Sequence, residues 1–231
     1  MYQIIIHAGG KGTRLLPLTL EKPKPMIEVD SKTLIEHSIQ PFISAGFTKF
    51  IITASYKVDM LKKFLKEKGL DVSFIEEKTS AGRAGAIRLG IEQGILDPTK
   101  PAISTHCDDI IKTNIKKFIE EHEKNNCAIT LGLSKKYQNP YGTINTRDGK
   151  VISFEEKPDA SLPEGQGINT GLAAFKDLQM FVNAQIPSQS EYTIYPKLAE
   201  QGHIGVSFVE DWQPVNTKDE LKSLQQKLTS N

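Results

Sequence analysis

The chain has 231 residues, 38% of them hydrophobic and 25% charged, enough for one large domain or at most two small ones. A net charge of +1 gives no global field for gripping nucleic acid or an anionic membrane, so neither is expected as a partner and any bound anion must be met by local charge. Two cysteines with no CxxC, and an opening Met-Tyr-Gln-Ile-Ile-Ile-His without a basic, cleavable leader, argue against a secreted disulfide scaffold. Apolar runs stay far below the roughly 18 residues that cross a bilayer, and a cytoplasmic location is expected.

Residues 4–6, 50–53, 72–75, 102–105 and 128–133 are short apolar or β-branched runs bounded by turn residues or charge, and read as buried strands. Amphipathic segments at 34–44, 59–68, 84–93 and 115–124 alternate with them, the last three closed by Gly69, Gly94 and Asn125. Thr33 with Glu36, and Thr217 with Glu220, have the spacing of a capping box and mark two helix starts. Alternation of this kind predicts an α/β fold: a Rossmann-like, mostly parallel sheet with helices on both faces and ligands outside the carboxyl ends of the strands. Beyond residue 133 the pattern changes. Residues 142–145 and 151–156 flank Arg147-Asp148-Gly149, a hairpin signal that predicts a small antiparallel insert. A strand at 170–175, a helix at 192–200, a strand at 204–209 and a helix at 221–228 complete the reading. No repeat or linker interrupts it, and residues 1–231 are read as a single domain.

The most informative stretch follows the first strand: Ala8-Gly9-Gly10-Lys11-Gly12-Thr13-Arg14, continuing to Pro23-Lys24-Pro25-Met26. Three glycines in four positions let backbone N–H groups approach a polyphosphate with no Cβ in the way. Between Lys11 and Lys24 stand four cations (Lys11, Arg14, Lys22, Lys24) against the single anion Glu21. Both common nucleotide fingerprints fail: no Gly-Lys precedes Ser or Thr, and Leu15 stands where GxGxxG needs its third glycine. A solvated glycine turn is the plain alternative. Pro23 and Pro25 speak against it, because two rings fixing an extended chain around one lysine would do little for a merely solvated side chain. Five histidines and two cysteines show no ligand spacing for zinc.

The compound motif, Gly9-Gly10-x-Gly12-Thr13-Arg14-Leu15-x-Pro17-Leu18-Thr19 followed by Pro23-Lys24-Pro25-Met26, resembles the signature of sugar-1-phosphate nucleotidyltransferases. The resemblance implies transfer of a nucleotidyl group from a nucleoside triphosphate to a sugar 1-phosphate with the help of Mg²⁺, giving a nucleotide sugar and pyrophosphate. It places Ala8, Gly9, Gly10, Gly12 and Thr13 at the nucleotide and makes Arg14 and Lys24 catalytic. His106-Cys107-Asp108 lies where the family has a Gly-Asp pair that holds the metal, so Asp108 is the implied ligand; Asp109 gains no such role.

Later motifs of the family recur in order. Glu156-Lys157-Pro158 is similar to its Glu-Lys-Pro, which implies a sugar contact for Glu156 and a phosphate contact for Lys157 as a third catalytic cation. Asn169-Thr170-Gly171 and Tyr141-Gly142 resemble its sugar-reading steps, implicating Asn169, Tyr141 and Gly142. Glu77 with Gly82-Arg83-Ala84-Gly85 resembles the segment that meets the base, implicating Glu77, Gly82 and Gly85, although the usual threonine is Arg83 here. A carboxylate at Glu77 favours the amino-bearing bases of CTP or GTP; otherwise Glu77 and Glu76 are a solvated pair at a strand end. Near the C-terminus, Trp212-Gln213-Pro214-Val215-Asn216-Thr217 is most like glucose-1-phosphate cytidylyltransferases and puts Asn216 where a second metal-binding aspartate is usual. An amide oxygen can ligate Mg²⁺ but brings no charge, which leaves open weaker metal binding, Asp211 as the second ligand, or an impaired homologue that only binds nucleotide or sugar phosphate. Transfer to a non-sugar phosphorylated acceptor is a further alternative. The expected partners are the two substrates, and a homo-oligomer is compatible with the sequence. No β-helix is expected after the last predicted helix.

Overall fold

A computed structural model describes residues 1–135, 143–155 and 166–229. In chain order the elements are β1 (Gln3–His7), α1 (Leu18–Glu21), β2 (Glu28–Val29), β3 (Lys32–Thr33), α2 (Leu34–Ser44), β4 (Lys49–Ala54), α3 (Val58–Glu67), β5 (Asp71–Glu76), α4 (Gly82–Glu92), β6 (Ala102–His106) and β7 (Asp109–Lys112). They continue with α5 (Ile115–Asn125), β8 (Ile129–Ser134), β9 (Thr143–Arg147), β10 (Lys150–Glu155), β11 (Gln166–Phe175), α6 (Ser190–Thr193), α7 (Tyr195–Glu200), β12 (Ile204–Phe208), β13 (Asp211–Pro214) and α8 (Lys218–Thr229).

Nine strands form one sheet in the order β5-β4-β1-β6-β11-β8-β12-β10-β9. β5, β4, β1 and β6 run parallel, as their helical crossovers require. β11 enters antiparallel between β6 and β8. The hairpin of β9 and β10 turns at Asp148 and Gly149, both with positive φ (50° and 72°), the backbone that a two-residue Asp-Gly turn demands. It is no isolated insert: β9 also pairs with β11 and β10 with β12, so the far end of the sheet folds back on itself.

Alternation along β1 shows how two helical layers are held. Ile4 and Ile6 join a buried cluster with Ile35 of α2, Leu61 of α3 and Phe118 of α5. Ile5 joins the opposite cluster with Ile87 of α4, Phe175 and Phe181. A run of consecutive apolar residues therefore means a strand buried on both faces, each such side chain contributing about 1.5–3 kcal/mol of transfer free energy. Thr33 and Glu36 form a reciprocal capping box at the start of α2. The helix anticipated at 192–200 is broken at Ile194 into α6 and α7, because Pro196 has no N–H for the carbonyl of Tyr192 and is tolerated only in a first turn. Among the described residues no helix is long and apolar enough to cross a membrane.

His122 of α5 is buried, with Nδ1 2.7 Å from Thr130 Oγ1, and burial holds its pKa below the ordinary 6.5. The unfolded chain takes up this proton before the folded one does, so the neutral ring's contribution to stability is complete above pH 6.5 and drains away as the pH falls towards the depressed folded value. The melting temperature is expected to drop between about pH 7 and pH 5, and His122→Gln to flatten that slope. An unchanged slope in the variant would assign the acid sensitivity elsewhere.

Candidate active site

β1 ends at His7 and Ala8 donates its N–H to Thr53 of β4, so the glycine loop starts at the carboxyl edge of the sheet. A Cβ on Gly9 would stand 2.7 Å from Glu77 Oε1, while at Gly10 nothing lies within 4 Å. Gly12 has φ +66°, and its Cβ would meet Thr19 Cγ2 at 2.9 Å and Lys24 Cβ at 3.1 Å. The third glycine thus lets the lysine's stem pass beneath the loop, which explains why the two halves of the motif occur together. A 3₁₀ turn, Thr13–Leu15, anchors on buried Leu15 and leaves Arg14 exposed on the rim. Pro23 is extended, as anticipated, but Lys24–Met26 forms a second 3₁₀ turn. Pro25 sits in its first turn, where its missing N–H would have had no partner.

Lys24 is 6% exposed. Its ammonium donates to the Asp108 carboxylate and, at 2.9 Å, to Asn216 Oδ1. Two short strands bring these oxygens together. Asp108 follows β6, and β7 and β13 form an antiparallel ladder pairing Asp109 with Pro214, which the Val215 N–H extends to the Asp108 carbonyl at 2.8 Å. Glu220 of α8 accepts from the N–H groups of both Asn216 (2.7 Å) and Thr217 (2.9 Å), and Thr217 Oγ1 accepts from Glu220 N–H at 3.2 Å. The anticipated cap of α8 therefore also fixes Asn216. Burial opposes ionisation of Asp108, but the adjacent Lys24, with His106, holds its pKa below the usual carboxylate value. A carboxylate and an amide oxygen already gathered about one cation are hard donors of the kind a divalent ion takes.

Asp109 faces the other way. Its Oδ1 accepts from the indole N–H of buried Trp212 at 2.9 Å and its Oδ2 lies 2.7 Å from His106 Nδ1. His106 Nε2 is 3.0 Å from an Arg83 Nη1, and the other Arg83 Nη2 is 2.5 Å from Glu191 Oε2. Although ligand atoms of His106, Asp108 and Asp109 lie within 4.8 Å of one another, both Asp109 oxygens are spent inside this chain of contacts. Burial raises the Asp109 pKa. Gly171, with φ +78°, is the price of closeness: a Cβ there would be 2.4 Å from His106 Nδ1.

The glycine loop, Arg14, Lys24, Asp108, Asn216 and the chain from Asp109 through His106 and Arg83 to Glu191 line one cavity of about 910 Å³. Of the residues singled out in the sequence, Ala8, Gly9, Gly10, Gly12, Thr13, Arg14, Lys24, Glu77, Gly82, Asp108, Asn169 and Asn216 line it. Gly85 is buried within α4, its N–H given to the Ser188 carbonyl. Lys22 turns to Glu28 at 3.1 Å, and Asp211 lies opposite Lys112 on the β7–β13 ladder. Tyr141, Gly142, Glu156 and Lys157 lie outside the described residues. Glu77 is buried, and its Oε2 accepts the Ala81 N–H at 2.6 Å, which replaces the picture of a solvated acid. His106 and Glu191 carry no role in the family motifs; the local signal for the first is its place beside Asp108, and no local motif marks the second.

The sequence model of the nucleotidyl transferase family (NTP_transferase) matches residues 3–230. The chain belongs to this family. Among its relatives are a mannose-1-phosphate guanyltransferase beta-A of Xenopus laevis, 30% identical over 207 residues, 87% of this chain and 57% of that protein. A mannose-1-phosphate guanyltransferase of Yarrowia lipolytica is 31% identical over 203 residues, 84% of this chain and 55% of its own length. The chain thus spans a little over half the length of these curated relatives. The fold is shared with HddC of Yersinia pseudotuberculosis, solved with GMP-PN (TM-score 0.81, 22% identity, 99% of this chain and 100% of that one). It is shared equally with a Bacillus anthracis protein described as a glucose-1-phosphate thymidylyltransferase (TM-score 0.81, 20% identity, 98% and 95%).

Proposed function

We propose that this nucleotidyl transferase joins a nucleoside triphosphate to a sugar 1-phosphate, forming a nucleotide sugar and releasing pyrophosphate. The observation that carries the reading is the meeting, in one cavity at the carboxyl edge of the parallel strands, of the glycine loop, Arg14, Lys24 and the Asp108–Asn216 oxygens. A space of about 910 Å³ suits a ligand of nucleotide-sugar size. The names of the curated relatives support a sugar phosphate as acceptor.

The attacking sugar-phosphate oxygen is already anionic, so the protein's task is positioning and neutralising charge rather than moving a proton. The open loop at Gly10 and the N–H groups around Gly12 receive the triphosphate, Arg14 on the rim meets the departing pyrophosphate, and Lys24 beneath the loop meets the phosphates between the two substrates. Lys157 is assigned to the same phosphates, and Glu156, Tyr141 and Gly142 to the sugar, on resemblance alone. Asp108 and Asn216 would hold Mg²⁺, which when bound supplies charge neutralisation at phosphate oxygens. Glu77 offers acceptor oxygens to the amino group of guanine or cytosine, and the guanyltransferase relatives support GTP.

The test is pyrophosphate release with Mg²⁺ across CTP, GTP, UTP, dTTP and ATP against hexose and heptose 1-phosphates. Release with one pair is the expected result. Silence throughout, with nucleotide binding still seen as a thermal shift, would overturn it in favour of a binding homologue. Arg14→Ala is expected to lower turnover about 100-fold or more, on the scale of roughly 3 kcal/mol for one lost electrostatic contact, and to leave the melting temperature unchanged because Arg14 is exposed. Unchanged turnover would remove Arg14 from the mechanism.

A further inference from the structure

Resting on that reading, we propose that Arg83, clamped between His106 and Glu191, is a specificity-determining residue that reads a hydroxyl of the sugar. Placement comes first. Glu77, the base-side residue, follows β5 at one edge of the sheet, whereas His106 ends β6 and Asn169–Gly171 lie on β11. β6 is three strands from β5, about 14 Å at the usual strand spacing. Arg83 starts from the first turn of α4, but its guanidinium reaches over to β6, 3.0 Å from His106 Nε2, and to α6, 2.5 Å from Glu191 Oε2. Its partner His106 lies against Gly171 of β11, so Arg83 shares this part of the cavity with Asn169, the residue assigned to the sugar by resemblance.

The chemistry of the clamp selects the kind of group it reads. The Arg83 charge is met by Glu191 and the Asp109 charge faces His106, so the cluster carries no surplus positive charge with which to attract a second anion. What it offers is an array of directed donors and acceptors: Arg83, His106 and Glu191 all line the cavity together with Asn169. Asn169 Oδ1 accepts the Gly171 N–H at 3.0 Å, leaving its NH₂ end as a donor. Among the described residues Arg83 Nε is buried without a hydrogen-bond partner, so rigidity of the fork has been kept at some cost in polar satisfaction. Directed, neutral overall and partly desolvated groups suit hydroxyls, and a site built for a hydroxyl rejects an analogue that lacks it because its own polar groups are then left unpaired.

The experiment compares kcat/KM for mannose 1-phosphate and glucose 1-phosphate with their singly deoxygenated analogues, in the wild-type chain and in Arg83→Leu. The wild type is expected to lose about 100-fold for deoxygenation at one ring or exocyclic position, the scale of one lost hydrogen bond to a charged group. In Arg83→Leu the parent sugar phosphate should lose a similar factor while that deoxy analogue keeps its rate, so discrimination collapses. A uniform loss across parents and analogues would mean that Arg83 only supports the fold, and would overturn the proposal, as would full discrimination in the variant. Absence of pyrophosphate release with every sugar phosphate in the wild type would instead overturn the transferase reading on which it rests. Should Arg83→Leu fold poorly, Glu191→Gln releases one side of the clamp and is read by the same ratio.

Discussion

Asp108→Asn is expected to lower pyrophosphate release by two to three orders of magnitude, about 3–4 kcal/mol for loss of a preorganised charge at the reacting phosphates. The substitution keeps the shape of the side chain, so two effects can be separated. Lys24 is 6% exposed and rests on the Asp108 carboxylate and the Asn216 amide. With the carboxylate gone, a buried ammonium faces two neutral amides, and the fold should lose on the order of 3 kcal/mol, the scale for a buried charge stripped of its partner. Lys24→Met combined with Asp108→Asn should restore much of that stability while leaving the protein inactive. A single variant of normal turnover would remove Asp108 from the mechanism, and a double variant no more stable than Asp108→Asn would show that Lys24 is not compensated by that carboxylate.

The second large effect lies at Gly82. Its φ is +70°, and a Cβ there would stand 2.3 Å from the Ser188 carbonyl oxygen and 2.8 Å from its carbon. The obstacle is backbone, and it cannot swing aside because the same oxygen accepts the N–H groups of Ala84 (3.0 Å) and Gly85 (3.2 Å), while Ser188 N–H is given to Ala81 at 2.8 Å. Gly82→Ala must therefore pay left-handed strain of about 1–2 kcal/mol and also part α4 from the 188 loop. A total of roughly 3–5 kcal/mol is expected, in the range reserved for a few named mechanisms, read as a fall in denaturation midpoint with loss of nucleotide binding. A melting temperature near that of the wild type would show that this contact yields.

The parallel half of the fold was legible because each strand is centred on a short apolar or β-branched run and each helix carries its own stop or cap; α2 has the bounds its capping box and periodicity imply. The glycine loop, Lys24 and Asp108 were legible because their motif is local. The β7–β13 ladder was not. Asp-Ile-Ile-Lys and Asp-Trp-Gln-Pro are four-residue strands far apart in the chain, too short for a periodicity, and a proline in the second argues locally against a strand. Yet this ladder sets Asn216 opposite Asp108. The Arg83–Glu191 pair was hidden for the same reason: it joins two helices, far apart in the chain, that pack against each other on one face of the sheet. Lys22 illustrates the converse: it counts towards the charge density of the motif region, yet its side chain turns to Glu28.

The place of β11 bears on how the protein is made. β6 and β8 are hydrogen-bonded to opposite sides of β11, so the chain completes both before the strand that separates them exists. During synthesis β6 carries an open row of amides and carbonyls, a template for any passing strand, until residues 166–175 emerge and slide into the gap. Joining the two halves requires long-range pairing, which is slow and exposes intermediates to association. Yield of soluble protein should thus depend on translation speed and temperature more than the stability of the finished molecule would suggest.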